Sequence, residues 1–166
     1  MGDGDKNLTT QQLFERVKIS NVMSKPVTIN FKDTLSNAKL KFNNHNISHL
    51  IVVDDGGKLE GILSPKYLYK AQSPRKIITK DMGYARDIIS DGDSFYMKET
   101  LDSYLLSNIM YKNPYTLGPD DSIITALTQM SEKNISCIPI IDSTRRVLGN
   151  LTNQEIVDFL ARLLSY

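Results

Sequence analysis

The residues of this sequence able to do chemistry are few, and most follow a glycine by a few positions. Gly149-Asn-Leu-Thr152-Asn-Gln-Glu155 sets a hydroxyl and a carboxylate three residues apart. Thr-x-x-Glu opening a helix is a capping box, in which both side chains satisfy free backbone N–H groups. Gly61-Ile-Leu-Ser64-Pro-Lys-Tyr67 keeps the hydroxyl, lacks the carboxylate and adds a cation at Lys66. His45 and His49, the two histidines, stand four apart, a spacing that grips metal on one helix. Asn46-Ile-Ser48 between them reads as a helix end, no third ligand is near, and Cys137 is an isolated thiol, so no zinc site is expected. Asp3-x-Asp5-x-Asn7 begins like a calcium loop but has Leu8 where glycine is required and Phe14 where glutamate is required. There is no phosphate-binding G-x-x-x-x-G-K-[ST] loop, no G-x-S-x-G and no H-E-x-x-H. Nothing points to a general acid–base pair, and the expectation is a non-enzyme.

These residues recur because the chain repeats itself. A shift of 88 lays Pro26–Lys70 on Pro114–Asp158 without a gap, with ten identities in 45 positions. About three would arise by chance, so the repeat is a duplication. The identities include Thr28/Thr116, Asn46-Ile-Ser48/Asn134-Ile-Ser136, Asp54/Asp142 and Gly61/Gly149. A shift of 87 also pairs Ser20-Asn-Val-Met23 with Ser107-Asn-Ile-Met110.

Each copy predicts the same elements. A short strand (Val27–Asn30, Tyr115–Leu117) leads through a capping hydroxyl at Thr34 or Ser122 into an amphipathic helix. The runs His49–Val53 and Cys137–Ile141 are too short and too β-branched for helices. Turns at Asp54–Gly57 and Asp142–Arg145 lead into strands over Lys58–Leu63 and Val147–Leu151. A second helix closes each copy, near Lys66–Ala71 and Asn153–Leu164, giving β-α-β-β-α. A unit of ~50 residues buries too little to stand alone, so the copies are expected to pack about a pseudo-two-fold axis. Thr9-Thr-Gln-Gln12 predicts a capping box for a short helix through Leu13, Phe14 and Val17. Between the copies, Pro74 breaks a helix, Ser90–Asp93 is a turn, and Met97, Leu101, Tyr104 and Leu105 fit one helical face.

Composition bounds the rest. The chain has 166 residues, 40% hydrophobic and 23% charged, an ordinary globular balance that excludes collagen and wholesale disorder. No run approaches the ~20 apolar residues of a membrane span. The first residues carry no apolar signal segment, and with one cysteine the expected home is the cytoplasm. Net charge is +1, which argues against a dedicated nucleic-acid binder. The halves differ: residues 1–83 hold 13 Lys and Arg against 8 Asp and Glu, and residues 84–166 hold 7 against 11. That asymmetry either pairs two copies or reflects solvated faces that happen to differ.

The chain resembles the tandem CBS domain, named for cystathionine beta-synthase. The resemblance rests on the Asn-Val/Ile-Met lead-in, the Pro-x-Thr strand, and Asn-Ile-Ser-x-Leu/Ile-x-Val/Ile-Val/Ile-Asp. Gly-x-Leu-Ser/Thr before the last helix completes it. It implies a mixed α/β fold divided as an N-terminal tail and short helix (1–16), CBS motif 1 (17–71), a connecting segment with a helix (72–106) and CBS motif 2 (107–166). It further implies a free-standing regulatory module that needs no cofactor. Its ligand would be an adenosine-type small molecule such as AMP, ADP, ATP or an S-adenosyl compound, bound between the motifs. The module would sit in a homodimer and act on a regulated protein that the sequence does not name. A constitutive interaction scaffold with empty clefts is the alternative, and nucleic-acid binding a weaker one.

By that resemblance, Gly-x-x-Ser/Thr-x-x-Asp supplies a hydroxyl near phosphate and a carboxylate for ribose. Thr152 and Glu155 fill it in motif 2, with simple capping as the competing reading. Ser64 fills half of it in motif 1, where Tyr67 replaces the carboxylate and either fills the slot or stacks on a base. Lys66 either meets phosphate or is an exposed surface lysine. His49 and Cys137 hold equivalent places before the central strands, where relatives often carry phosphate-facing basic residues; His49 is either that or a structural histidine. Thr28 and Thr116 line the cleft or merely favour strand, and Ile138 and Pro139 shape an apolar slot for the base in motif 2.

Overall fold

The computed structural model describes residues 9–66 and 105–165. Helix α1 (Thr10–Arg16) starts at the expected capping box: Thr9 Oγ1 accepts from Gln12 N–H (3.3 Å) and Gln12 Oε1 from Thr9 N–H (2.9 Å). Motif 1 follows as β1 (Thr28–Asn30), α2 (Leu35–His45), β2 (Leu50–Val53) and β3 (Leu59–Leu63). After the undescribed stretch come β4 (Tyr111–Lys112), α3 (Ile123–Lys133), β5 (Cys137–Ile141), β6 (Val147–Thr152) and α4 (Asn153–Leu164). Of the helix expected near Lys66–Ala71, residues 65–66 are described and helical; the rest, the connecting-segment helix and Tyr67 lie outside the described residues.

Several repeated identities have direct backbone causes. Asn46 and Asn134 follow α2 and α3 with φ of 48° and 51°, the left-handed conformation that asparagine tolerates better than most residues. Asp54 and Asp142 each bind two backbone N–H groups of the following turn, at residues 56 and 58 and at residues 144 and 146, all at 2.8–3.0 Å. Such Asx-type turns fix both hairpins.

The expected strand Tyr115–Leu117 is not formed; a single bridge, Leu117 to Ile140, stands in its place. In motif 1, β1 pairs parallel with β2, and Ile51 N–H donates to Val27 O (3.1 Å). The residue equivalent to Ile51 is Pro139, which has no N–H to give, so this ladder bond is lost in motif 2.

The two motifs exchange their lead-in segments. Ile19 N–H donates to Asp121 O (2.9 Å), Ser24 bridges Asn150, and Ile19 and Val22 are buried in the core of motif 2. Reciprocally, Leu106 N–H donates to Asp33 O (3.1 Å), β4 pairs with β3, and Leu106 and Met110 are buried in the core of motif 1. The four-stranded sheet β1-β2-β3-β4 therefore holds residues from both halves, beside the two-stranded β5-β6 sheet. α1 also joins motif 2, where Phe14 meets Phe159 edge to face at 6.1 Å.

The pseudo-two-fold axis is visible in the backbone. Leu59 N–H donates to Arg145 O (3.0 Å) and Val147 N–H to Gly57 O (3.1 Å), a reciprocal pair at equivalent positions. Ile51, Leu59, Ile62 and Cys137 form a third apolar cluster there, joining motif to motif.

Candidate functional site

Strands β2 and β5 begin beside the axis, and the helices after β3 and β6 start beside them. Two adjoining cavities open at this junction. The first, of about 430 Å³, is walled by His49, Ser64 and Lys66 of motif 1 and by Tyr115, Lys133 and Cys137 of the second half. The other, of about 460 Å³, is lined by equivalent pairs, Ser48 with Ser136, Ser64 with Thr152 and Lys66 with Gln154, so it straddles the axis. His49 lines both. Both volumes lie in the range that holds a nucleoside-sized ligand.

Crosswise grouping is the main feature that sequence reasoning missed. Each helix start faces the lead-in of the other motif: Ser64 and Lys66 share a cavity with Tyr111, Pro114 and Tyr115, while Glu155 bonds Ser24. Thr152 and Cys137, close in sequence pattern, thus face different cavities. Ile138 and Pro139 are fully buried, Ile138 in the core of motif 2, and neither lines these two cavities. The apolar wall of the first cavity comes from Ile62, Pro114, Tyr115 and Ile135. Thr28 is half-buried within β1, and Thr116 is half-buried next to Tyr115; neither lines these two cavities. The signal that could have found Tyr111, Tyr115 and Lys133 was their match by repeat to Ser24, Val27 and His45, once the exchange of lead-ins was known.

At α4 the capping box is complete. Gln154 N–H donates to Thr152 Oγ1 (3.2 Å), and Glu155 Oε2 accepts from Thr152 N–H (2.8 Å) and from the Thr152 hydroxyl. Glu155 Oε1 accepts from Ser24 Oγ at 2.8 Å. The carboxylate therefore ties the lead-in of motif 1 to the helix start of motif 2.

His49 is the pivot between the motifs. Its Nδ1 is hydrogen-bonded to Ser48 Oγ (2.9 Å) and its Nε2 to Ser136 Oγ (3.1 Å), the two equivalent serines. His45 is exposed, and no cluster of three metal-ligating side chains occurs among the described residues. Burial holds the His49 imidazole below its ordinary pKa; Glu155 opposes this and Lys66 adds to it. Between that lowered value and the ordinary ~6.5, the unfolded chain binds a proton that the folded chain does not. Stability should therefore fall as pH drops through this window. His49→Gln should lose less stability than the parent between pH 7.5 and pH 5.5 in urea unfolding; equal losses would refute the assignment. Cys137 is buried, and that burial, with Glu155 nearby, pushes its thiol up to about 12, so it stays protonated and inert at neutral pH.

The CBS domain family model matches residues 19–73 and 106–162, two segments that coincide with the two motifs and their lead-ins. The chain belongs to the CBS domain family. A CBS domain-containing protein of Dictyostelium discoideum is 29% identical over 150 residues, covering 90% of this chain and 94% of its own. The homoserine O-acetyltransferase of Methanosphaera stadtmanae is 26% identical over 155 residues, 93% of this chain, but the chain spans only 26% of that enzyme's length. Among solved structures, a CBS domain pair in complex with 5′-methylthioadenosine and S-adenosyl-L-methionine superposes with a TM-score of 0.66 at 25% identity, covering 87% of this chain and 96% of its own. CBSX2 in complex with AMP gives 0.67 at 16% identity, covering 89% and 98%, a likeness of fold. Among the described residues, no helix of this CBS pair is long and apolar enough to cross a membrane.

Proposed function

We propose that this CBS pair is a regulatory rather than catalytic module that binds an adenosine-containing ligand between its motifs. The observation that carries the reading is the junction itself. Two helix starts bearing hydroxyls, Ser64 and Thr152, open with His49 onto cavities of ligand size shared by both motifs. The S-adenosyl, methylthioadenosine and AMP complexes of the structural neighbours support the ligand class. A ligand touching both motifs at once would bias their packing, and a partner protein would read that change. The exposed Val157, Leu163 and Leu164 on α4 support a second copy or that partner as the reader. We place the module in the cytoplasm as a homodimer.

Thermal unfolding against AMP, ADP, ATP, S-adenosylmethionine, NAD and GTP tests this. A ligand at 100 times its Kd adds about 2.7 kcal/mol, which raises the midpoint by roughly 5–10 °C. A rise confined to adenosine compounds is expected, and an unchanged midpoint with every compound would overturn the reading.

One observation favours a constitutive scaffold instead. Both oxygens of Glu155 are already engaged, by Ser24 and by Thr152. On that reading Glu155→Ala costs only the cap and the Ser24 tie, together about 1–3 kcal/mol. On the regulatory reading it also weakens ligand binding, so the ligand-induced rise in midpoint shrinks.

A further inference from the structure

The repeat gives each residue around the first cavity a counterpart in the other half, yet the side chains have diverged in one direction. Around the first cavity stand Lys66, Lys133, Tyr111 and Tyr115; the equivalent positions are Gln154, His45, Ser24 and Val27. Lys133 ends α3, and its ammonium lies 5.6 Å from the centre of the Tyr115 ring. An aromatic face holds a cation without neutralising it. Among the described residues, neither lysine is paired with a carboxylate, and no Asp or Glu lines this cavity. The charge of Glu155 reaches His49 and Cys137 of its wall, while its oxygens are bonded to Ser24 and Thr152. Among the described residues, the first cavity thus offers two cations, apolar and aromatic walls, and no lining carboxylate.

From this we infer that the first cleft, the one lacking a ribose carboxylate, selects adenosine ligands carrying two or more phosphates. Lys66 and Lys133 set that specificity, and the cleft rejects a ligand bearing a positive sulfonium. The inference rests on the adenosine reading above and divides its candidate ligands by charge. A like charge brought against two uncompensated ammonium groups raises the cost of binding, whereas each added phosphate lowers it. The tyrosines and Pro114 provide the flat apolar surface on which a base can rest.

Calorimetric titration of the whole chain with adenosine, AMP, ADP, ATP, S-adenosylmethionine and inorganic tripolyphosphate tests it. Amide chemical shifts of Tyr115, Asn134 and Ile135 report the first cleft. Affinity is expected to climb from adenosine to ATP, with tripolyphosphate alone shifting these amides and S-adenosylmethionine leaving them in place. Lys66→Met and Lys133→Met should each weaken ATP by at least about fivefold, with adenosine unchanged. If Lys133 serves only the C-terminal dipole of α3, Lys133→Met will lower the urea midpoint and leave ATP affinity intact, which overturns the inference. S-adenosylmethionine matching ATP at these amides would overturn it too. Adenosine ligands that bind while moving only amides around Thr152 would sink the charge assignment and leave the adenosine reading standing. Failure of every adenosine compound to bind would remove both.

Discussion

Leu106→Ala should destabilise the protein by about 2–5 kcal/mol, the range for emptying a fully buried leucine, although Leu106 lies 43 residues beyond the end of β3, the last strand of the core it fills. Its side chain is 0% exposed and packs with Ile29, Leu35, Leu50 and Leu63 of motif 1. Ile19, its equivalent, is 0% exposed in the core of motif 2, so Ile19→Ala should act comparably. The exchange makes a sharper claim than the magnitude. Each lead-in is hydrogen-bonded to the opposite motif, so neither core can open without stripping a segment from the other. Urea unfolding of both variants should remain one transition with the parent's m-value, shifted to lower denaturant. Two separated transitions, or a lowered m-value, would show motifs that unfold independently and contradict the exchanged packing.

Gly61→Ala should be nearly as damaging, for a reason of contact rather than flexibility. A Cβ built on Gly61 would sit 2.6 Å from the Tyr111 carbonyl oxygen and 3.0 Å from the Met110 sulfur. The obstacle is backbone held in the β3–β4 ladder, so the lead-in must move away, at about 1–3 kcal/mol. The matching Cβ on Gly149 would lie 2.6 Å from the Met23 sulfur and 3.1 Å from the Ser24 carbonyl oxygen. There the tightest neighbour is the end of a flexible side chain. Gly149→Ala should therefore be milder, and largely relieved by a second change, Met23→Ala. Met110→Ala should not rescue Gly61→Ala, because the carbonyl oxygen remains. Equal costs at the two glycines, or rescue of both, would show that side chains rather than backbone set the limit.

Much of this was legible in the residues. The duplication, the helices α1 to α4, the strands β1, β2, β3, β5 and β6, the capping boxes at Thr9 and Thr152, and the turns at Asp54 and Asp142 all follow from local chemistry, and local chemistry is what a sequence states directly. Where the lead-ins pack was not legible. Ile19 and Leu106 look alike, and a buried aliphatic residue satisfies either core equally well on pattern alone. That ambiguity carried into the site, because the sequence does not say which lead-in stands opposite Ser64 and which opposite Thr152. Lys133 went unnoticed for the same cause; at the end of a helix it reads as a dipole cap until Tyr115 is seen beneath it. The lost strand at Tyr115–Leu117 was within reach, since Pro139 is plain in the sequence and cannot donate to its neighbour.

The exchanged lead-ins also bear on the order in which the chain can mature as it is made. By the time residue 66 has been added, β1, α2, β2 and β3 have all been synthesised, but their core still lacks Leu106 and Met110. At 5–20 residues per second, that gap lasts roughly 2–9 s. During it Leu35, Leu50 and Leu63 have no native cover from the far segment, and β3 has no β4 to pair with. Motif 2 has the opposite history, because Ile19 and Val22 precede everything they will pack against. The first half of the protein must therefore wait for the second, and a ribosome stalled between residues 66 and 106 would hold out a half-built core with an open sheet edge, the kind of species that chaperones bind and that aggregates when they do not.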